Sequence, residues 1–307
     1  MGTNNQSSIS PRDVLAEIAK AIPQDCHEHL IVIGSLAVGY HYFGGQAEMA
    51  VRTKDADCVL SPFTQAVPSG VEITNRLLES KWTVIIEGEW SAPGTAATPD
   101  SELPAVRLNP PGNLEWFLEL LTVPDKARDQ KGQQWTRLET EHGHFGICSF
   151  RFLSLTNYEP IKTELGIYVA RPEMMALAAL LEHPEIGEQR MSGGFAGRAD
   201  VKRSNKDLGR VLAISRLATK TDEDILETWP AIWEAALRDR FPDSWTELAT
   251  RAGDGLRALM GNEADLEEAH HTIVNGLLVS QPPSREMLRI IGRRLLQDAI
   301  DPLNKIG

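Results

Sequence analysis

Residues Leu30 to Leu60 read LIVIGSLAVGYHYFGGQAEMAVRTKDADCVL, and most of what the chain says about its fold lies there. Leu30–Ile33 is a short, β-branched apolar run, the mark of a buried strand. Gly34-Ser35 follows at once, and Leu36–Phe43 is apolar and compatible with a helix. After the Gly44-Gly45 break comes Arg52-Thr53-Lys54-Asp55-Ala56-Asp57, which runs into a second apolar run, Cys58-Val59-Leu60. Residues two apart in a strand share a face, so Asp55 and Asp57 are expected to project side by side. Two carboxylates held that close repel unless a cation stands between them. Mg²⁺ suits such a place, because it takes one or two carboxylates together with substrate phosphates. A Gly-Ser turn at a helix start offers free backbone N–H groups and a hydroxyl to a phosphate.

Strand, Gly34-Ser35, helix and then Asp55-x-Asp57 on the next strand resembles the signature of the nucleotidyltransferase superfamily. The text Arg52-Thr53-Lys54-Asp55-Ala56-Asp57 is similar to the R-T-x-D-x-D form of its bacterial toxin-type members, the abortive-infection (AbiEii-type) group. The resemblance spans about residues 1–210. The spacing from Ser35 to Asp55 exceeds the shortest version of the motif, and the surplus falls around Gly44–Ala50, where a loop costs little.

The chain has 307 residues, 42% hydrophobic and 24% charged, a composition of globular proteins with proper cores. No stretch reaches the length of a membrane span, and the polar start Met1–Ser8 has no signal-peptide apolar region, so a cytoplasmic protein is expected. Cys26, Cys58 and Cys148 are scattered; they form neither a disulfide framework nor a metal pair and read as small buried hydrophobes. The net charge of −12 means that any contact with nucleic acid needs a local basic patch.

Ser10-Pro11-Arg12-Asp13 starts a helix whose Val14, Leu15, Ile18 and Ile22 share a face. His27 and His29 flank the first strand without partners at metal-like spacing and read as surface residues. A helix is expected over Val71–Leu78 and a strand over Trp82–Ile86. Ser91–Pro104 reads as a loop, and Ala105–Leu108 and Leu114–Val123 as strands. Glu119 stands inside the last of these, flanked by Leu118 and Leu120-Leu121; an acid there needs a partner or a metal. The resemblance implies a third carboxylate on a strand beside Asp-x-Asp, acting as general base or metal ligand. Glu119 is the choice and Glu115, four residues earlier on the same face, the competitor; the family more often has Asp there. Asp125–His144 reads as a polar excursion in which His142 and His144 are solvated. Phe150–Leu155 and Leu165–Ala170 have strand character.

From Pro172 the texture is helical. Glu173–Leu181, EMMALAALL, is a strong helix former, but it lacks the phosphate-binding lysine that a helix at this place carries in the toxin group. Gln189–Arg210 is the one dense basic tract, with Arg190, Arg198, Lys202, Arg203, Lys206 and Arg210, and Asn205 is a potential cap for a helix from Lys206. Lys206-Asp207 resembles the late K-D motif of the same group, which contacts nucleotide. Helices are expected over Asp207–Leu217, Asp222–Arg238, Ser244–Leu259, Ala264–Leu278 and Ser284–Ile300, with Pro230 breaking or kinking the second. Trp229, Trp233 and Trp245 read as core anchors. His270 and His271 are adjacent and so face different ways. Arg285, Arg289, Arg293 and Arg294 give the last helix a basic side, read first as a solvated face.

The expected fold is α/β: a nucleotidyltransferase domain with a mixed sheet over 1–171, then an α-helical domain over 172–307, with nucleotide held in the cleft between them. The resemblance implies transfer of a nucleoside monophosphate from an NTP to a hydroxyl, releasing pyrophosphate. Asp55, Asp57 and Glu119 would be catalytic and would bind one or two Mg²⁺ ions. Gly34, Ser35, Arg52, Lys206 and Asp207 would bind the nucleotide. A toxin-type enzyme acting on tRNA or another RNA, neutralised by an antitoxin protein, is the first expectation. A small cationic acceptor such as an aminoglycoside is the second, and a non-catalytic nucleotide- or partner-binding protein of the same fold the third.

Overall fold

Asp55–Leu60 forms a strand because its residues alternate: Ala56, Cys58 and Leu60 are fully buried on one face, while Asp55 and Asp57 are half-buried on the other. The structure, a computed structural model, describes residues 8–44, 46, 49–85, 92–112, 114–125, 133–187, 189–191, 195–198 and 200–307, without the side chains of 184–186. Gly45, the Ile86 end of an expected strand, Ser91, residues 126–132 of the polar excursion, and 192–194 and 199 of the basic tract lie outside these.

The architecture is α/β, a mixed sheet with a helical C-terminal region. The chain divides into two compact units, one of Ile9–Ala37 and Thr53–Ala170, the other including Val38–Arg52 and Arg171–Gly307. The sheet unit holds α1 (Pro11–Ala21), β1 (Leu30–Val32), the start of α2 (Gly34–Phe43), β2 (Asp55–Leu60), α3 (Phe63–Glu79), β3 (Thr83–Val84), β4 (Arg107–Asn109) and β5 (Phe117–Thr122). It continues with β6 (Gln134–Thr140), β7 (Gly143–Ser149), α4 (Leu153–Thr156), β8 (Ile161–Lys162) and β9 (Tyr168–Val169). The strand order is β3-β4-β5-β2-β1-β9-β8, with β7 joining β5 and β6 joining β7. Of these pairs β2/β5, β1/β9 and β5/β7 are parallel, and the rest are antiparallel.

Ser10 caps α1 by accepting from the Asp13 N–H, and Val14, Leu15 and Ile18 bury that helix's apolar face. The longer α3 starts at Phe63, ahead of the Val71 expected. It presses Gly70 against the sheet, where an added Cβ would stand 3.0 Å from Leu138 and 3.2 Å from Leu60. The face of β2 that carries the acids turns apolar two residues on: Val59 packs with Leu121, Val123 and Cys148. All three cysteines are buried and none is in a disulfide, and burial, aided by the Glu72 carboxylate, pushes the Cys26 thiol up to about 12.

Two stretches depart from expectation. The excursion read over Asp125–His144 contains β6 and the start of β7, an antiparallel hairpin turned at Gly143, whose φ is +113°. Most β6 residues are half-exposed, so no apolar run announced a strand. His144 is engaged there by Arg137 at 3.0 Å, and Arg137 also donates to Asp100 at 2.7 Å, tying the 95–102 loop to the hairpin. Phe150–Leu155, expected as a strand, closes the hairpin with the helical turn α4.

The helical unit carries α5 (Pro172–Ile186), α6 (Arg203–Thr221), α7 (Trp229–Arg240), α8 (Trp245–Arg251), α9 (Asp254–Met260), α10 (Glu263–Val274), α11 (Arg285–Leu295) and α12 (Asp301–Ile306). The helix expected over Asp222–Arg238 is interrupted: a short 3₁₀ turn, Ile225–Thr228, precedes α7, and Pro230 stands in the first turn of α7, where a proline sacrifices no hydrogen bond. The single helix expected over Ser244–Leu259 is two, parted at Gly253 with φ +92°. Asn205 does not cap α6, which begins at Arg203. Instead its amide donates to Asp265 at 2.9 Å and Glu268 at 2.8 Å, while Glu268 accepts the Lys202 N–H at 2.6 Å. The arginines of α11 are largely spent on acids: Arg289 pairs with Glu263 and Glu286, Arg285 with Glu267, and Arg294 with Asp298. Trp229 and Trp233 are buried, and Arg238 lies over the Trp245 ring at 3.5 Å. Among the described residues, no helix is long and apolar enough to cross a membrane.

His183 on α5 rests against Gly255 of α9 so closely that an added Cβ would stand 2.0 Å from its ring. Burial lowers its pKa, with the Asp207 carboxylate opposing. The folded protein therefore resists protonation that the unfolded chain accepts, and stability, fully present above the ordinary imidazole value of about 6.5, declines as pH falls below it. His183→Gln is expected to flatten the decline between about pH 6.5 and 5. Urea midpoints of both proteins across that window test it, and parallel curves would refute it.

Candidate functional site

The acids are brought together by strand register. β2 and β5 run parallel with Asp57 opposite Glu119 and Asp55 opposite Phe117. All four positions alternate with buried neighbours, Ala56 and Cys58 on one strand and Leu118 and Leu120 on the other, so they share one face of the sheet. Glu115 precedes β5 and is exposed, which leaves Glu119 as the acid on the strand.

Gly34 packs against the Asp57 carboxylate. It has φ +72° at the start of α2, and an added Cβ would stand 3.1 Å from Asp57 Oδ2. The neighbouring Ile33 N–H donates to the Asp57 carbonyl at 2.9 Å, which fixes the turn against the strand. Glycine is needed here twice over, for the left-handed backbone and for the close approach of the carboxylate. Ser35, half-buried, follows at the second helical position. Gly34→Ala is expected to cost about 1–2 kcal/mol of stability, since a Cβ must both adopt this φ and press on the carboxylate. Chemical denaturation of the variant measures it, and an unchanged midpoint would contradict the close packing.

Two side chains that sequence reasoning left without a role complete the surroundings. Thr53 donates its hydroxyl to Asp55 Oδ1. Arg107 on β4 stands opposite Glu119 across an antiparallel pair, and its Nη2 lies 3.1 Å from Glu119 Oε1. Arg107-Leu108-Asn109 does alternate about a buried leucine, but nothing local identifies which strand it will face.

Asp55 and Asp57 fit Mg²⁺ as donors: both are carboxylates, both are on one face, and Gly34 places no side chain of its own against Asp57 Oδ2. Glu119 shares that face but is held by Arg107. Among the described residues, no three or more His, Cys, Asp or Glu side chains are arranged to hold a metal.

The remaining expected nucleotide ligands belong to the helical unit. Arg52 donates its backbone N–H to the Gly276 carbonyl at 3.1 Å, next to a double hydrogen bond between Ala50 and the Ser280 hydroxyl. Lys206 and Asp207 lie in the first turns of α6, both half-buried, with Asp207 3.7 Å from Arg210. Cations of the basic tract pair with acids, Lys202 with Asp265 of α10 at 3.2 Å and Arg190 with Asp200 at 3.3 Å.

No family model matches this chain, and a search of curated proteins finds no match either.

Proposed function

We propose that the protein is a Mg²⁺-dependent nucleotidyltransferase that moves a nucleoside monophosphate from an NTP to a hydroxyl acceptor. The observation that carries this reading is the placing of Asp55, Asp57 and Glu119 on one face of two parallel strands, with Gly34 against the Asp57 carboxylate. In it Asp55 and Asp57 hold the cation, which supplies charge neutralisation to the triphosphate and the departing pyrophosphate. The α2 N-terminus, with Gly34 and Ser35, offers N–H groups and a hydroxyl to a phosphate. Glu119 orients the acceptor hydroxyl or takes its proton. Arg52, Lys206 and Asp207 are proposed nucleotide contacts on the K-D and R-T-x-D-x-D resemblance alone.

An RNA acceptor, tRNA included, with a neutralising antitoxin protein remains the first proposal for biological context. The pairing of Lys202 and Arg190 with acids lowers the free positive charge available to an extended RNA and keeps a small cationic acceptor as the alternative. A non-catalytic nucleotide binder is favoured by a separate pair of observations, the Arg107 contact on Glu119 and the absence of a lysine from Glu173–Leu181.

Incubation with NTPs labelled at the α-phosphate, Mg²⁺, and in turn total RNA or small hydroxylated amines tests the reading. Label in RNA or in the small acceptor supports transfer and names the acceptor class. Nucleotide binding with no label transferred would favour the non-catalytic alternative.

A further inference from the structure

We infer that Arg137 and His144 form a proton-sensitive clasp, which holds the 94–102 strap on the β6–β7 hairpin and loosens when the His144 imidazole takes up a proton.

The strap is tied to both residues. Gly94, at its start, exchanges backbone hydrogen bonds with His144: the Gly94 N–H donates to the His144 carbonyl at 2.8 Å, and the His144 N–H to the Gly94 carbonyl at 2.9 Å. Just past its end Leu103 is buried, and a Cβ added to Gly146 of β7 would stand 3.4 Å from it. Between these ends Arg137 reaches across from β6. Its Nε donates to Asp100 Oδ1 at 2.7 Å, its Nη1 to the Thr95 carbonyl at 3.3 Å, and its Nη2 to the Thr98 carbonyl. Nη1 also lies 3.0 Å from His144 Nδ1. Residues 95–97 and 99–102 are exposed, so the strap can lift without opening the core.

The contact between Arg137 and His144 admits one protonation state. A guanidinium only donates, so Nδ1 accepts, and the ring is neutral with its proton on Nε2. A proton added to Nδ1 removes that acceptor and sets two cations 3.0 Å apart. Two acids face the imidazole as well: Asp100 of the strap, engaged by Arg137, and the exposed Glu139, opposite His144 in the hairpin register. Glu141 and His142, in the turn of the hairpin, are exposed. Glu139 draws an imidazolium while Arg137 repels it, and the two anchors of the strap are pushed apart. Histidine suits such a role because its charge changes in mild acid.

The clasp lies on the sheet face that carries Asp57 and Glu119. Arg137 shares a side of β6 with Trp135, Trp135 is in register with Cys148, and Cys148 with Leu121, two residues beyond Glu119. Proton uptake thus frees a strap on the face of the candidate site, whatever chemistry that site performs.

Amide hydrogen exchange in the full chain, followed by NMR and corrected for the intrinsic rate at each pH, tests this. Protection of the Gly94 amide is expected to fall about tenfold between about pH 7.5 and about pH 5.5, while that of β2 and β5 holds. In His144→Gln, whose amide oxygen can accept from Arg137 at either pH, the change is expected to be less than about twofold. Arg137→Gln leaves an imidazolium with no cation to repel it. That variant is expected to start with weaker protection and to lose the pH dependence, and it serves if the first folds poorly. Natural protein whose Gly94 protection does not change with pH would overturn the inference. So would an equal fall in a folded His144→Gln or Arg137→Gln variant, or a fall shared by β2 and β5, which would report the whole sheet rather than the strap.

Discussion

On the proposed function, replacing Asp57 with asparagine is expected to lower nucleotide transfer by about a thousandfold or more while leaving the fold intact. Asparagine has the same shape but no charge, and a catalytic cation held by two carboxylates loses half its protein-borne negative charge. A thousandfold in rate corresponds to ~4 kcal/mol of transition-state stabilisation, a reasonable share for a cation that neutralises a triphosphate. Stability should move by less than about 1 kcal/mol, because asparagine keeps the shape of this half-buried side chain. The two readouts separate the site's chemistry from its architecture: transfer of α-phosphate label for one, the urea midpoint for the other. A folded variant with undiminished transfer would remove Asp57 from the mechanism.

The largest expected effect on stability lies in the helical unit. Trp233→Ala should cost about 3–5 kcal/mol, the range for deleting a large aromatic side chain from a core. Trp233 is fully buried, its ring lies 5.3 Å from that of Trp229, and its indole N–H donates to the Glu173 carbonyl at 2.9 Å. The alanine variant leaves a cavity and removes the indole donor from the Glu173 carbonyl of α5. Trp233→Phe fills most of the space but loses the hydrogen bond, so it should cost clearly less. Urea denaturation ranks the two, and an alanine variant within about 1 kcal/mol of the natural protein would show that this tryptophan does not anchor the core.

What could be read from the sequence was local or periodic. Leu30–Val32, the Gly34 turn and the alternation of Asp55-Ala56-Asp57-Cys58 are each legible within a few residues. Glu119 could be singled out because an acid inside Leu118–Leu121 is costly without a reason. What escaped depends on distant pairing. Arg107 meets Glu119 only because β4 lies antiparallel to β5, and no local signal encodes that register. The β6–β7 hairpin was hidden by its half-exposed first strand, whose charged and polar residues read as loop. Asn205, a good helix cap on paper, is drawn into α6 and spends its amide on Asp265 and Glu268 from 60 and 63 residues away.

The reading of this protein stands on whether the paired aspartates of β2 hold a divalent cation. Electron paramagnetic resonance of Mn²⁺, a spectroscopic substitute for Mg²⁺, measures this directly in the presence of a non-hydrolysable NTP analogue. The account predicts one or two bound ions in the natural protein and their loss when Asp55 and Asp57 are both replaced by asparagine. Equal Mn²⁺ binding in the two proteins, or none in either, would contradict it.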